Sequence, residues 1–306
     1  MPRQRPIRSS ICRLARHAGS GPNHAGSSHA GGCSERPAVA TLVRRTPLPD
    51  RSFATLLVIN FVWIDFGAKP LNSALAIASA LATQAACARW FGLPGLDLRS
   101  PLITGLSLSL LLRADTAWLF ALAGVIAIGS KFLLRLDGKH IFNPAGFAIV
   151  VLLFAAPGVW ISPGQWGTSI WFAALLTFLA ILVLQAARRS DIAIFFLGSH
   201  ATLLFARAWW LGDPVAIPLH QLQSGALLIF TFFMISDPRT SPDSRLGRFL
   251  FALAVALLAH WLAFFLQMRP ALYVALIVLA PSVFLLDAVL PGRRFAWASP
   301  ANEGAS

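Results

Sequence analysis

Residues 246–289 read LGRFLFALAVALLAHWLAFFLQMRPALYVALIVLAPSVFLLDAV. Two apolar runs, 246–267 and 270–289, meet at Arg269 and Pro270. Each is near the ~20 residues that carry a helix across a bilayer core. Arg245 and Arg248 mark one outer end of the pair, and Arg293 and Arg294 mark the other. The stretch predicts two antiparallel membrane helices whose outer ends share one basic side.

The rest of the chain repeats this pattern. Of its 306 residues, 57% are hydrophobic and 12% charged, against roughly 25% charged in a soluble domain. That leaves too little polar surface to coat a water-soluble globule, so lipid is the solvent for much of it. Eight further apolar runs lie near 52–68, 71–92, 100–113, 117–134, 142–160, 169–187, 191–211 and 221–236. The expected fold is an all-α integral membrane protein, a bundle of about ten transmembrane helices, some short or broken. The expected organisation is a disordered basic tail at 1–50, a polytopic membrane domain at 51–290 and a short cytoplasmic tail at 291–306.

Loop charges test this count. In bacterial-type membranes cytoplasmic loops are enriched in Lys and Arg. With ten crossings, 12 basic residues beyond the tail fall on one side and four (Lys69, Arg113, Arg207, Arg269) on the other. The alternation predicts an even number of crossings with both termini cytoplasmic, in an inner membrane.

The net charge of +13 does not indicate nucleic acid. Nine arginines crowd residues 1–51, and the remainder are spread over loop ends with no basic, aromatic-studded face. Cys12, Cys33 and Cys87 form no CxxC pair, which argues against a disulfide framework or a zinc or iron–sulfur site. No phosphate-binding GxxxxGK[ST] loop, GxGxxG, HExxH or GxSxG motif is present. No catalytic residue and no metal ligand is expected.

Two polar clusters lie at the ends of apolar runs on the basic side. In the first, Gly138–Gly146, Asn143 precedes Pro144 and is placed to cap a helix running to about Trp160, with Lys139 and His140 just outside. In the second, Phe232–Pro242, the helix ends before Pro238, and Asp237 and Arg239 are spaced to pair. Ser236, Thr240 and Ser241 offer hydroxyls to loose backbone groups there. The runs Pro101–Leu112 and Ser224–Ile235 are short and carry Thr104, Gly105, Ser107 and Ser109 in one, Ser224, Gly225 and Thr231 in the other. Such segments either form midplane sites or permit close helix packing. Asp65 is an acid inside an apolar stretch, spaced to pair with Lys69 at the interface.

On these clusters the sequence resembles the RnfD membrane subunit of the Rnf electron-transport complex and the NqrB membrane subunit of the sodium-translocating NADH:quinone oxidoreductase. The resemblance spans roughly 100–290 and rests on Phe142-Asn143-Pro144-Ala145, Leu219–Ala226, Phe232-Phe233-Met234 and Asp237-Pro238 with Thr240. It implies a bundle of about ten helices that handles flavin during ion-coupled electron transfer, beside other membrane subunits. Carried over by motif position, it implies cofactor contacts at Asn143, Pro144, Ser224, Gly225, Asp237, Arg239 and Thr240. The family's covalent FMN sits on a threonine in a long external loop. Here the corresponding loop is the short stretch Pro157–Thr168, without that motif. The shortened loop is similar to stand-alone members encoded with enediyne biosynthesis. The expectation is therefore non-covalent flavin, riboflavin or FMN, rather than covalent FMN. A permease for a small solute or ion, and a non-catalytic assembly subunit, are the competing readings.

Overall fold

The computed structural model describes residues 69–92, 97–136, 139–162 and 190–292. The expected runs at 52–68 and 169–187, both tails, and Asp65 lie outside the described residues. Each of the other eight runs is helical.

The first helix, α1 (Pro70–Trp90), starts at a proline whose missing N–H is no loss in a first turn. Its buried positions, Ser73, Ala76, Ala80, Gln84 and Ala88, recur every three or four residues and form one stripe of mostly small side chains. That stripe receives α2 (Arg99–Leu111) and α3 (Trp118–Leu133). A Cβ at Gly105 would stand 2.8 Å from Ile77 Cα, and one at Gly124 would stand 2.8 Å from the Ala76 carbonyl oxygen. Between helices in lipid, association depends on such close van der Waals approach rather than on expulsion of water.

Helix α2 is short, and nine of its 13 residues are buried. Thr104 Oγ1 donates to the Ser100 carbonyl (2.9 Å) and Ser109 Oγ to the Gly105 carbonyl (2.8 Å). These hydroxyls are satisfied inside their own helix, and Gly105 serves packing. Helix α4 (Pro144–Ala155) ends five residues before the expected Trp160. The Pro157-Gly158 turn stops it. Gly158 has φ +69°, and its missing side chain leaves room for the Asp115 carboxylate.

The all-α expectation describes the spans, but two small antiparallel ladders join helix ends. Strand β1 (Leu112–Ala114) pairs with β4 (Val159–Ile161), and β2 (Arg135–Leu136) pairs with β3 (Lys139–His140). Loop backbone near a bilayer has few other partners for its N–H and C=O groups.

The later helices are α5 (Ser190–Leu211), α6 (Ala216–Leu222), α7 (Gly225–Ile229), α8 (Arg245–Phe264), α9 (Ala271–Leu279) and α10 (Ser282–Val289). Helix α7 continues as a π-helical turn, Phe230–Met234. Helices α1, α5 and α8, of 21, 22 and 20 residues, are long and apolar enough to cross a membrane. The pairs α6–α7 and α9–α10 are broken, each bent by 50°. The first break fits the short polar run expected at Ser224–Ile235. The second interrupts what reads as one run at 270–289; Pro281 cannot donate to the helix ladder. The architecture is that of an all-α membrane protein with three to five candidate spans among the described residues. A core of Phe196, Phe230, Phe251, Leu108 and Ile149 joins α2, α4, α5, α8 and the π turn.

Replacing Gly124 with Ala forces a methyl against the α1 backbone, whereas Gly129 faces open space. Gly124→Ala is expected to destabilise the protein by about 1–3 kcal/mol. Gly129→Ala should leave it unchanged or slightly more stable. Thermal unfolding of both variants in the same detergent checks this.

Candidate functional site: a polar lattice at one end of the bundle

Asn143 sits in extended backbone at the start of α4, φ −61° and ψ 121°. Its Oδ1 accepts the Gly146 N–H at 3.0 Å, as the Asn-Pro pattern predicts. Its Nδ2 reaches Asp237 Oδ2 at 3.4 Å, 94 residues away. The two sequence clusters thus meet. The aspartate does not pair with the Arg239 guanidinium, as spacing suggested. Its Oδ1 accepts the Arg239 backbone N–H (3.0 Å), a local Asx turn. Thr240, buried, donates its N–H to the Asp237 carbonyl at 3.2 Å. The Arg239 guanidinium lies instead 3.4 Å from His140 Nε2.

Around this contact is a lattice of charge. Lys139 Nζ lies 2.7 Å from Asp243 Oδ2 and 2.7 Å from Asp287 Oδ2, tying β3 to the turn before α8 and to the end of α10. Asp287 Oδ1 also accepts the Asp243 N–H at 2.7 Å. Arg248 donates through Nε and Nη2 to Asp191 Oδ2 at 2.8 and 2.6 Å, which joins the first turns of α8 and α5. Lys131, buried at the end of α3, donates to Gln84 Oε1 (3.2 Å) and Ser100 Oγ (2.8 Å) on α1 and α2. The sequence marked Lys139 as a flanking residue; its partners lie 104 and 148 positions on and carry no local signal.

Burial pushes the Asp237 carboxyl up, partly offset by the Arg239 N–H and charge, Asn143 and Lys131. Burial also lowers His140, to about 3, helped by the cations Arg239, Lys131 and Arg135. His140 Nδ1 is buried without a hydrogen-bond partner; the Lys131 carbonyl acts on the ring without meeting hydrogen-bond geometry. A neutral imidazole beside guanidinium offers an acceptor on one side and an unused polar atom on the other.

Ser224 and Gly225 stand elsewhere. They open α7, whose helical path to Met234 is roughly 15 Å long, and Asp237 lies beyond its far end. The expected site residues therefore divide into a joined group (Asn143, Pro144, Asp237, Arg239, Thr240) and a separate pair at the α6–α7 break. Among the described residues no three His, Cys, Asp or Glu side chains converge as metal ligands.

Residues 159–296 match the pattern of the NQR2, RnfD, RnfE family. The chain resembles this family over that stretch. It is 28% identical over 296 aligned residues to the D subunit of an ion-translocating oxidoreductase complex of Pseudomonas paraeruginosa, covering 76% of this chain and 84% of that protein. To the D subunit of Stutzerimonas stutzeri it is 29% identical over 293 residues, covering 72% and 83%. A 51-residue stretch is 45% identical to the D subunit of Alcanivorax borkumensis, 16% of this chain and 15% of that one. The family match includes α5 to α10 and the Asp237 turn. An alignment covering 76% of the chain also takes in its middle, where Asn143 lies.

Removing the Lys139 ammonium leaves two carboxylates facing each other. Lys139→Met is expected to cost about 3–5 kcal/mol, and Asp287→Asn less, because Asp243 still pairs. Thermal unfolding in detergent reads the difference.

The titrations give opposite slopes. The lowered His140 value adds stability above about pH 6.5 that is lost as pH falls toward 3; the raised Asp237 value adds stability at acid pH that is lost as pH rises above about 4. His140→Gln should therefore flatten the acid-side loss. Asp237→Asn should gain on the native protein as pH rises from 4 to 8. Melting curves across that range test both signs.

Proposed function

We propose that this chain is a membrane subunit of an ion-translocating electron-transport complex of the Rnf and sodium-translocating NADH:quinone oxidoreductase kind. It crosses the membrane ten times with both termini cytoplasmic, works beside other membrane subunits, and holds flavin non-covalently. The observation that carries this reading is the Asn143–Asp237 contact, which joins the two motifs that resemble the family, in a chain similar to such D subunits over most of its length.

The joined group suits the polar edge of a flavin ring, which alternates carbonyl acceptors with an N–H donor. Asn143 and Arg239 supply donors, Asp237 supplies an acceptor, and His140 Nδ1 is a buried polar atom still without a partner. The stacked rings of Phe142 and Phe147, 5.0 Å apart, belong to residues one before and four after Asn143. When bound, flavin supplies one- and two-electron transfer. The chain's own residues orient the ring edge and keep His140 neutral beside Arg239. The absence of the threonine motif from Pro157–Thr168 supports non-covalent attachment.

A second reading, a permease, draws on the two broken helix pairs bent by 50°. Purified protein separates the two. Flavin absorbance is expected in the native protein, with the pigment released to the supernatant on acid precipitation. Pigment retained in the pellet would establish covalent attachment. Colourless protein that binds neither riboflavin nor FMN would overturn the flavin reading, and substrate-dependent flux in liposomes would then favour the permease.

A further inference from the structure

At the end of the bundle that carries the polar lattice, α1 and α3 finish side by side. Phe91 and Phe132 stack there, centroids 5.7 Å apart and planes 8° from parallel. The Lys131 ammonium lies 5.7 Å from the Phe132 ring. Arg89 and Arg135 are exposed, two residues before Phe91 and three after Phe132, and Arg99 is exposed where α2 begins next to Ser100, a Lys131 partner. Among the described residues the acid on this rim is Asp97, whose Oδ1 is turned back to the N–H groups of Arg99 and Ser100. Asp237, the other carboxylate acting on Lys131, is held by Asn143 and the Arg239 backbone.

Immediately beside these cations are large apolar side chains without protein cover. Trp90 is 87% exposed and Leu133 75% exposed. An indole at such a place marks the boundary between headgroups and acyl chains. Cations at headgroup depth next to bare apolar surface match a molecule with an anionic head and hydrocarbon tails. A soluble anion has no use for the apolar half. The opposite end of the bundle differs: Arg207 there is paired with Asp213 at 3.6 Å and lies over Phe264.

We infer that the rim formed by Arg89, Arg135 and the Phe91–Phe132 stack is a binding site for an anionic phospholipid. The phosphodiester sits between the two guanidiniums, and the acyl chains run along the lipid-facing sides of α1 and α3. A zwitterionic lipid carries its own ammonium and gains less.

The test uses full-length protein in detergent, with phosphatidylglycerol and phosphatidylcholine of identical acyl chains, and native mass spectrometry as readout. Wild type is expected to retain phosphatidylglycerol in clear preference. Each arginine removed lowers that preference by roughly five-fold, from the ~1 kcal/mol a cation contributes at an anionic surface. Arg89→Gln with Arg135→Gln should therefore abolish it, the matching lysine pair should restore it, and Arg207→Gln should leave it intact. Melting temperatures of all variants confirm that each is folded. Equal retention of both lipids by wild type, or an undiminished preference in the double glutamine variant, overturns the inference. So does displacement of the lipid by millimolar glycerol phosphate, which would make the rim a site for soluble anions.

Discussion

The ammonium of Lys139 joins three parts of the chain: β3, the turn before α8, and α10. Two carboxylates, Asp243 and Asp287, lie at equal distance from it. One belongs to the turn that launches α8 and the other to α10. Removing the ammonium leaves two carboxylates facing each other in a poorly hydrated place, so its geometry is strongly enforced. Lys139 lies four residues before Asn143, so the clamp anchors the chain that leads into α4, whose start the Asn143-Pro144 cap sets locally. From that start the Asn143 amide reaches Asp237.

The same end of the bundle gathers the other long-range polar contacts: Arg248 to Asp191, Lys131 to Gln84 and Ser100, and Arg239 to His140. Deeper in the bundle, hydroxyls turn inward on their own helices, as Thr104, Ser109 and Thr231 do. This division follows from the solvent. In hydrocarbon a polar group without a partner is costly, and the nearest backbone carbonyl is the readiest one. Charged groups need stronger partners and can be assembled only where the chain leaves the bilayer. Among the described residues, side-chain contacts between distant segments therefore concentrate at this end, the β1–β4 backbone ladder joins segments at the other, and the helices between are held by close packing at Gly105 and Gly124.

This explains which features were legible in the sequence. Apolar runs, the Asn143 cap and the break near Ser224 are local, set by composition and by proline or small residues within a few positions. The end of α4 at Ala155 was also signalled, by Pro157-Gly158, but an apolar run that continues to Trp160 conceals it. Pro281 likewise lay within a run hydrophobic enough to pass for a single helix. The partners of Lys139, Arg239 and Lys131 were not legible. A charged residue beside a membrane run reads the same whether it faces water, a headgroup or a carboxylate 148 positions away. For Arg239 the spacing favoured Asp237, yet the aspartate spends that oxygen on the arginine's backbone N–H, which frees the guanidinium for His140.

The separation of Ser224 and Gly225 from Asn143 and Asp237 bears on how such a bundle can work. A single helical path, α7 with its π turn, has the break at one end and the buried carboxylate at the other. A π turn closes its hydrogen bonds over one residue more than the α-helix around it, and such turns are frequent at functional sites. Ser224 and Gly225 at one end of that path, and Asp237, Arg239 and Thr240 beyond the other, therefore share one stretch of sequence yet stand apart in the fold.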